Sequence, residues 1–147
     1  MIDSKDKSQR LPPQAIDAEA AVLGCMLIDP EAVPRVFHIL SEKSFYKLAH
    51  SHIFSAMASL FEVNETIDSI SVTNQLKKDG KLEDVGGGHF ITGLSKDSPT
   101  ASNVDYWANT VKEKEILRSI ISSAGQMSSQ AYDSTEDPTS ILDNAEQ

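Results

Sequence analysis

Apolar residues recur at helical spacing along most of this chain, and the most informative run is the Pro-free stretch Asn103–Ala131. Val104, Trp107, Ala108 and Val111 form one stripe, and Lys112, Glu113, Lys114 and Glu115 interrupt it. Leu117, Ile120, Ala124, Met127 and Ala131 then resume at spacings of 3, 4, 3 and 4. Such alternation is the seam along which one helix meets another. The pattern predicts a single helix whose first half lies inside a domain and whose second half reaches out to a partner. The alternative is two core helices with a bend near Lys112.

The preceding chain also divides into helices. Ile16–Ile28 places Ile16, Ala20, Leu23 and Leu27 on one face, with Asp17 and Glu19 in the first turn, where the helix dipole favours acids. Gly24, among good helix formers, predicts a close approach by another backbone. Asp29 and Pro30 suit a cap and a first helical position, opening a short helix to about Leu40 with Val33, Val36, Phe37 and Leu40 inward. Ser41–Lys47 reads as a loop, with Phe45 and Tyr46 folded back onto the core. Leu48–Glu62 carries Ile53, Phe54, Met57, Leu60 and Phe61 at core-helix spacing. Ser71–Asp79 reads as a helix stopped at Gly80, with Val72 and Leu76 inward and Lys77 and Lys78 in its last turn. Gly86–Gly88 opens another short helix holding Phe90, Ile91 and Leu94, and Ser102 or Asn103 caps the long one. A last helix starts at Asp137–Pro138–Thr139, with Ile141, Leu142 and Ala145 on one face. It ends at Gln147 without a stop signal, which points to a piece of a longer chain.

With 147 residues there is room for one domain and an appendage, and 39% hydrophobic content is ample for a core. The formal net charge of −9 argues against strong nucleic-acid binding by this chain, since that affinity rests on neutralising phosphates. Arg118 is the last basic residue, and Asp133, Glu136, Asp137, Asp143 and Glu146 follow it. Cys25 is the single cysteine, so no internal disulfide forms, and its apolar surroundings point to a packing role. No apolar run approaches membrane-spanning length and Met1–Arg10 is polar, so a cytoplasmic protein with no membrane partner is expected.

Candidate chemistry is sparse. His50 and His52 are two apart, on different faces of a helix, and make poor co-ligands. The glycine run lacks the Lys-Ser/Thr of a nucleotide loop. Lys77, Lys78 and Lys81 hint at a DNA-reading helix, but a solvated face that complements the helix dipole explains them more simply. No catalytic, cofactor-binding or metal-ligating residue is therefore expected in this stretch.

Three segments resemble the N-terminal domain of the DnaB family of bacterial replicative helicases. They are LPPQAIDAEAAVLGCMLID (11–29), FYKLAHSHIFSAMASL (45–60) with the Thr66–Ile67–Asp68 that follows, and LEDVGGGHFITGLSKDSPTASNVDYWANTVKEKEILRSII (82–121). Ala15 departs from the pattern, standing where the family often has a Ser able to cap the first helix. The resemblance implies an all-α fold: a compact helical bundle followed by an extended helical hairpin. Expected boundaries are a flexible tail over 1–14, a bundle over 15–111 and a hairpin arm over 112–147, truncated before a linker and a RecA-like ATPase domain. It further implies arms that pair between subunits, a hexameric collar built as a trimer of dimers, and docking of DnaG-type primase, with a helicase loader as a further partner. The parent would unwind duplex DNA 5′ to 3′ with ATP and Mg2+ and meet DNA through the absent motor, whereas this stretch would not be catalytic itself. Ile116, Leu117, Ile120, Ile121 and Met127 are the expected partner-interface residues, chosen for apolar exposure on the arm rather than for a family motif. The competing readings are a free-standing helical DNA-binding regulator using Ser71–Lys81 and an enzyme with an unrecognised site.

Overall fold

The computed structural model describes residues 10–98, 101–133 and 137–146. Among them every regular element is helical. In chain order these are α1 (Ile16–Ile28), α2 (Ala32–Ile39), a 3-10 turn (Glu42–Ser44), α3 (Leu48–Glu62), α4 (Ser69–Lys78), α5 (Gly87–Lys96), a second 3-10 turn (Ala101–Asn103), α6 (Val104–Asp133) and α7 (Pro138–Glu146). The fold is a compact helical bundle followed by a helical hairpin. The flexible tail expected over 1–14 lies largely outside the described residues. By contacts, Gln14–Glu115 forms one compact unit, and the described residues of Met1–Pro13 and Ile116–Gln147 form a second.

In the first unit α1 is the centre, packing against α2, α3 and α5. The expected single inward face is too narrow a description. Leu23 and Leu27 are buried as anticipated, but so are Ala18, Ala21, Val22, Cys25 and Met26, while Ile16 and Ala20 are only partly covered. A helix apolar all round is one enclosed by its neighbours. Gly24 is what allows the enclosure, because a Cβ there would stand 2.4 Å from the Leu94 carbonyl oxygen and 2.8 Å from Ser98 Cβ. The close backbone approach anticipated for Gly24 is therefore made by the end of α5.

Glu19 sits in the first turn of α1 as expected, and it does more there: it is 1% exposed, and its carboxylate accepts from the Tyr46 and Lys47 amides at 2.7 and 3.3 Å. It also lies 2.9 Å from Nδ1 of His50, itself 1% exposed. Those amides precede and open α3, whose N-cap Lys47 makes no side-chain cap bond. Glu19 thus holds the entry to α3 from another helix, through the N-cap amide and the one before it, and places an acid near the positive end of the dipole. The spacing Glu19–Leu23–Met26, at i, i+4 and i+7, carries the signal for its burial.

Elsewhere the local rules hold with shifts of a turn. Asp29 accepts from the Glu31 amide at 3.0 Å, and α2 opens two residues beyond Pro30. Ser41–Lys47 contains a 3-10 turn rather than only loop. Phe45 is buried there, but Tyr46 is exposed, because Glu19 pins its backbone rather than its ring. Phe61 is likewise exposed, though it stacks on Phe37 at 4.9 Å. Helix α4 starts at Ser69, because Asp68 and Ser71 form a reciprocal capping box. Gly86, at φ 103°, is the left-handed N-cap of α5, where a side chain would be strained. Ala15 caps α1 without a side-chain hydrogen bond, as its lack of a hydroxyl dictates.

Gly24→Ala should lower stability by about 2–3 kcal/mol, because the Leu94 carbonyl is backbone and cannot swing aside. A urea titration of the variant checks it, with an unshifted midpoint as the contrary result. Glu19→Gln should cost about 2–4 kcal/mol while preserving side-chain volume, since the amides of Tyr46 and Lys47 and the His50 ring lose a shared anionic acceptor. Amide hydrogen exchange should show the first turn of α3 losing protection before the rest of the helix.

Candidate functional site

Helix α6 runs uninterrupted over 30 residues, so this stretch is one helix rather than two. Val104, Ala108 and Val111 are fully buried in the core cluster, and Trp107 packs against it. Two polar links hold this half. Arg35 donates to Asp105 at 2.6 Å, an exposed pair that raises the Arg35 guanidinium further above its ordinary range through that hydrogen bond and charge. Exposed pairs of this kind orient more than they stabilise. The second link involves the charged interruption. Ser44, fully buried, donates to Glu115 Oε1 at 2.5 Å and accepts from the Ser41 amide, and Lys112 donates to the same oxygen of Glu115 at 3.1 Å. Residues 112–115 therefore do more than end a stripe, since they moor the last turn of α6 in its unit.

Beyond Glu115 the same helix changes character. Ile116, Leu117, Ile120, Ile121 and Met127 are exposed by 48, 43, 58, 58 and 39%. At 100° per residue they fall on one face with Ala124, Ser128 and Ala131 between them, while Ser119, Ser122, Ser123, Gln126, Ser129 and Gln130 occupy the other faces. Several large apolar residues on one exposed stripe differ from the singly scattered apolar side chains of an ordinary surface. In the same unit, Arg118 Nη1 donates to the Pro13 carbonyl at 2.9 Å, tying the Arg10–Pro13 segment to this helix. In α7 the expected apolar face is split: Ile141 is buried, whereas Leu142 and Ala145 are exposed.

The residues considered for chemistry are placed apart. His50 is buried against Glu19 and His52 is partly exposed one turn edge away, so they share no site. No group of three His, Cys, Asp or Glu side chains able to hold a metal occurs among the described residues. Gly86–Gly88 serves as a helix start, and Lys77, Lys78 and Lys81 are solvent-exposed around the end of α4. Cys25 is buried, 3.5 Å from the Ser98 hydroxyl. Among the described residues no helix is long and apolar enough to cross a membrane.

The described residues form an all-helical bundle whose last helix continues into a second unit that exposes an apolar stripe. Residues 11–113 match the family model described as the DnaB-like helicase N terminal domain. The chain is 38% identical over 139 residues to the replicative DNA helicase DnaB of Geobacillus stearothermophilus, covering 95% of this chain and 31% of that protein. It is 41% identical over 137 residues to the DnaB of Rhodothermus marinus, covering 93% of this chain and 14% of that protein. Its fold superposes on the crystal structure of the N-terminal domain of DnaB helicase from Mycobacterium tuberculosis with a TM-score of 0.83 at 31% identity, covering 92% of this chain and 96% of that one. The chain belongs to the DnaB helicase family and corresponds to its N-terminal domain. It spans less than a third of the length of the first curated relatives it matches.

Proposed function

We propose that this chain is the assembly and partner-docking domain of a hexameric replicative DNA helicase, and that it self-associates through the exposed stripe of α6. The observation that carries this is the run Ile116, Leu117, Ile120, Ile121 and Met127, uncovered on one face of a helix whose first half is buried. Burying such side chains contributes about 1.5–3 kcal/mol each before ordering costs. Ser122, Ser123, Gly125, Ser128 and Ser129 are mediocre helix formers, so this stretch gains its helicity from packing. A second copy is the natural cover, because the face on each molecule supplies what the other lacks and a two-fold pairing closes.

In this proposal the pairs assemble as a trimer of dimers and dock a DnaG-type primase, with a helicase loader as a further partner. The relatives' names support the setting, since both are called replicative DNA helicases. Unwinding of duplex DNA, with ATP and Mg2+ held by a RecA-like motor, is assigned to the remainder of the longer relatives and not to residues of this chain. The expected hairpin arm over 112–147 is the associating element, and the compartment is the cytoplasm.

Ile120→Asp should convert the dimer to a monomer in sedimentation while near-native helicity of the bundle persists. In the unsubstituted chain, mean helicity should fall on dilution through the dimer dissociation constant. A strict monomer with concentration-independent circular dichroism would count against self-association.

A further inference from the structure

The exit of α3 departs from two local rules at once. The helix ends at Glu62, Val63 is its C-cap, and Asn64 takes the left-handed conformation at φ 58°. The Asn64 amide donates to the Phe61 carbonyl at 3.1 Å and the Glu65 amide to the Leu60 carbonyl at 2.9 Å, a double closure of the helix end. After such a closure the next residue commonly carries an apolar side chain that folds back on the last turn. Here it is Glu65, and it is exposed. A helix C-terminus also favours cations over carboxylates, yet the last turn of α3 has no basic residue and holds Glu62. Helix α4 shows the ordinary solution, with Lys77 and Lys78 in its last turn. Among the described residues neither Glu62 nor Glu65 forms an ion pair. The same corner exposes an apolar anchor, since Val63 stands between the two acids in sequence and is 65% exposed. A groove of about 550 Å³ runs between the end of α3 and α4, lined by Leu60, Glu62, Val63, Glu65, Asn74 and Lys78 among others. Leu60 and Val63 are its apolar lining, and all of it belongs to the Gln14–Glu115 unit.

Resting on the partner-docking reading above, we propose that this groove docks a basic segment of a partner protein, with an aliphatic side chain set on Val63 and Lys or Arg side chains set on Glu62 and Glu65. Charge names the occupant. Two carboxylates without ion pairs and the negative end of a 15-residue helix converge on the groove, against one ammonium group, that of Lys78. That ammonium also complements the C-terminus of its own helix. A cationic partner is attracted by the carboxylates and the helix end alike, whereas an acidic one meets repulsion from them. Aliphatic contact at Val63 supplies affinity, and the two acids supply selectivity. In the free chain the arrangement is unfavourable, since both acids stand where a helix end disfavours them. A departure from local rules with no local gain is expected where a surface serves something outside the fold.

The test is a nuclear magnetic resonance titration of the isotope-labelled full chain with two short amphipathic peptides, one of Leu and Lys and one of Leu and Glu. The Leu/Lys peptide should shift the amides from Leu60 to Glu65 and around Asn74, and the Leu/Glu peptide should leave them in place. Glu62→Gln combined with Glu65→Gln should weaken the Leu/Lys peptide by about tenfold. The urea midpoint of that variant should hold or rise, because the helix end loses two unfavourable charges. Equal binding of both peptides, or undiminished binding by the glutamine variant, overturns the proposal. So does a lowered midpoint with unchanged binding, which would make the two acids structural. Shifts confined to another face of the bundle overturn this site and leave partner docking standing, whereas no shift on any face overturns the site and removes support from partner docking as well. Self-association is not involved, so the Ile120→Asp chain should bind the Leu/Lys peptide as the unsubstituted chain does.

Discussion

One helix with two environments is the constraint on which this structure turns. Over Val104–Val111 the apolar stripe of α6 lies in a core and is held there by hydrophobic burial. From Ile116 onward the apolar stripe of the same helix is exposed, and the stretch to Asp133 carries five serines and one glycine. A helix of that composition draws little from propensity. The mooring at Glu115, through Ser44 and Lys112, fixes where one regime gives way to the other. A charged turn that looks like an interruption is in physical terms an anchor.

The bundle behind that anchor is built around α1, and two residues make the enclosure feasible. Gly24 removes a side chain where the carbonyl of Leu94 must pass, and Glu19 brings a charge into the interior with its acceptor capacity used. A buried carboxylate is tolerable only when hydrogen bonds replace its lost water. Here they come from the Tyr46 and Lys47 amides at the entry to α3, so one side chain offsets the desolvation of its own charge while fixing the approach to a neighbouring helix. Packing and capping are coupled through a residue that contributes to neither in isolation.

Membership of the DnaB helicase family agrees with this physical picture. The chain's large exposed apolar side chains include a stripe along the second half of α6. The family model ends at residue 113, before the stripe begins, while the superposition on a solved N-terminal domain covers 92% of the chain.

Helix type and extent were written in the chain itself. The spacings that marked Ile16–Ile28 and Leu48–Glu62 are those of α1 and α3, and the two stripes of α6 could be told apart because Lys112–Glu115 divides them. Local rules of this kind act within a few residues, and neighbouring side chains carry all the information they need. Tertiary structure alone decided the fate of polar groups that local rules treat as surface. Glu19 is buried because the start of α3 lies across α1, and Ser44 because Glu115 comes to it from 71 residues away. Tyr46 stays exposed although it is aromatic, and the Arg118–Pro13 bond joins positions 105 apart. The physical reason is that a hydrogen bond or a desolvated charge depends on partners brought by the whole chain, whereas an apolar period is a property of one stretch.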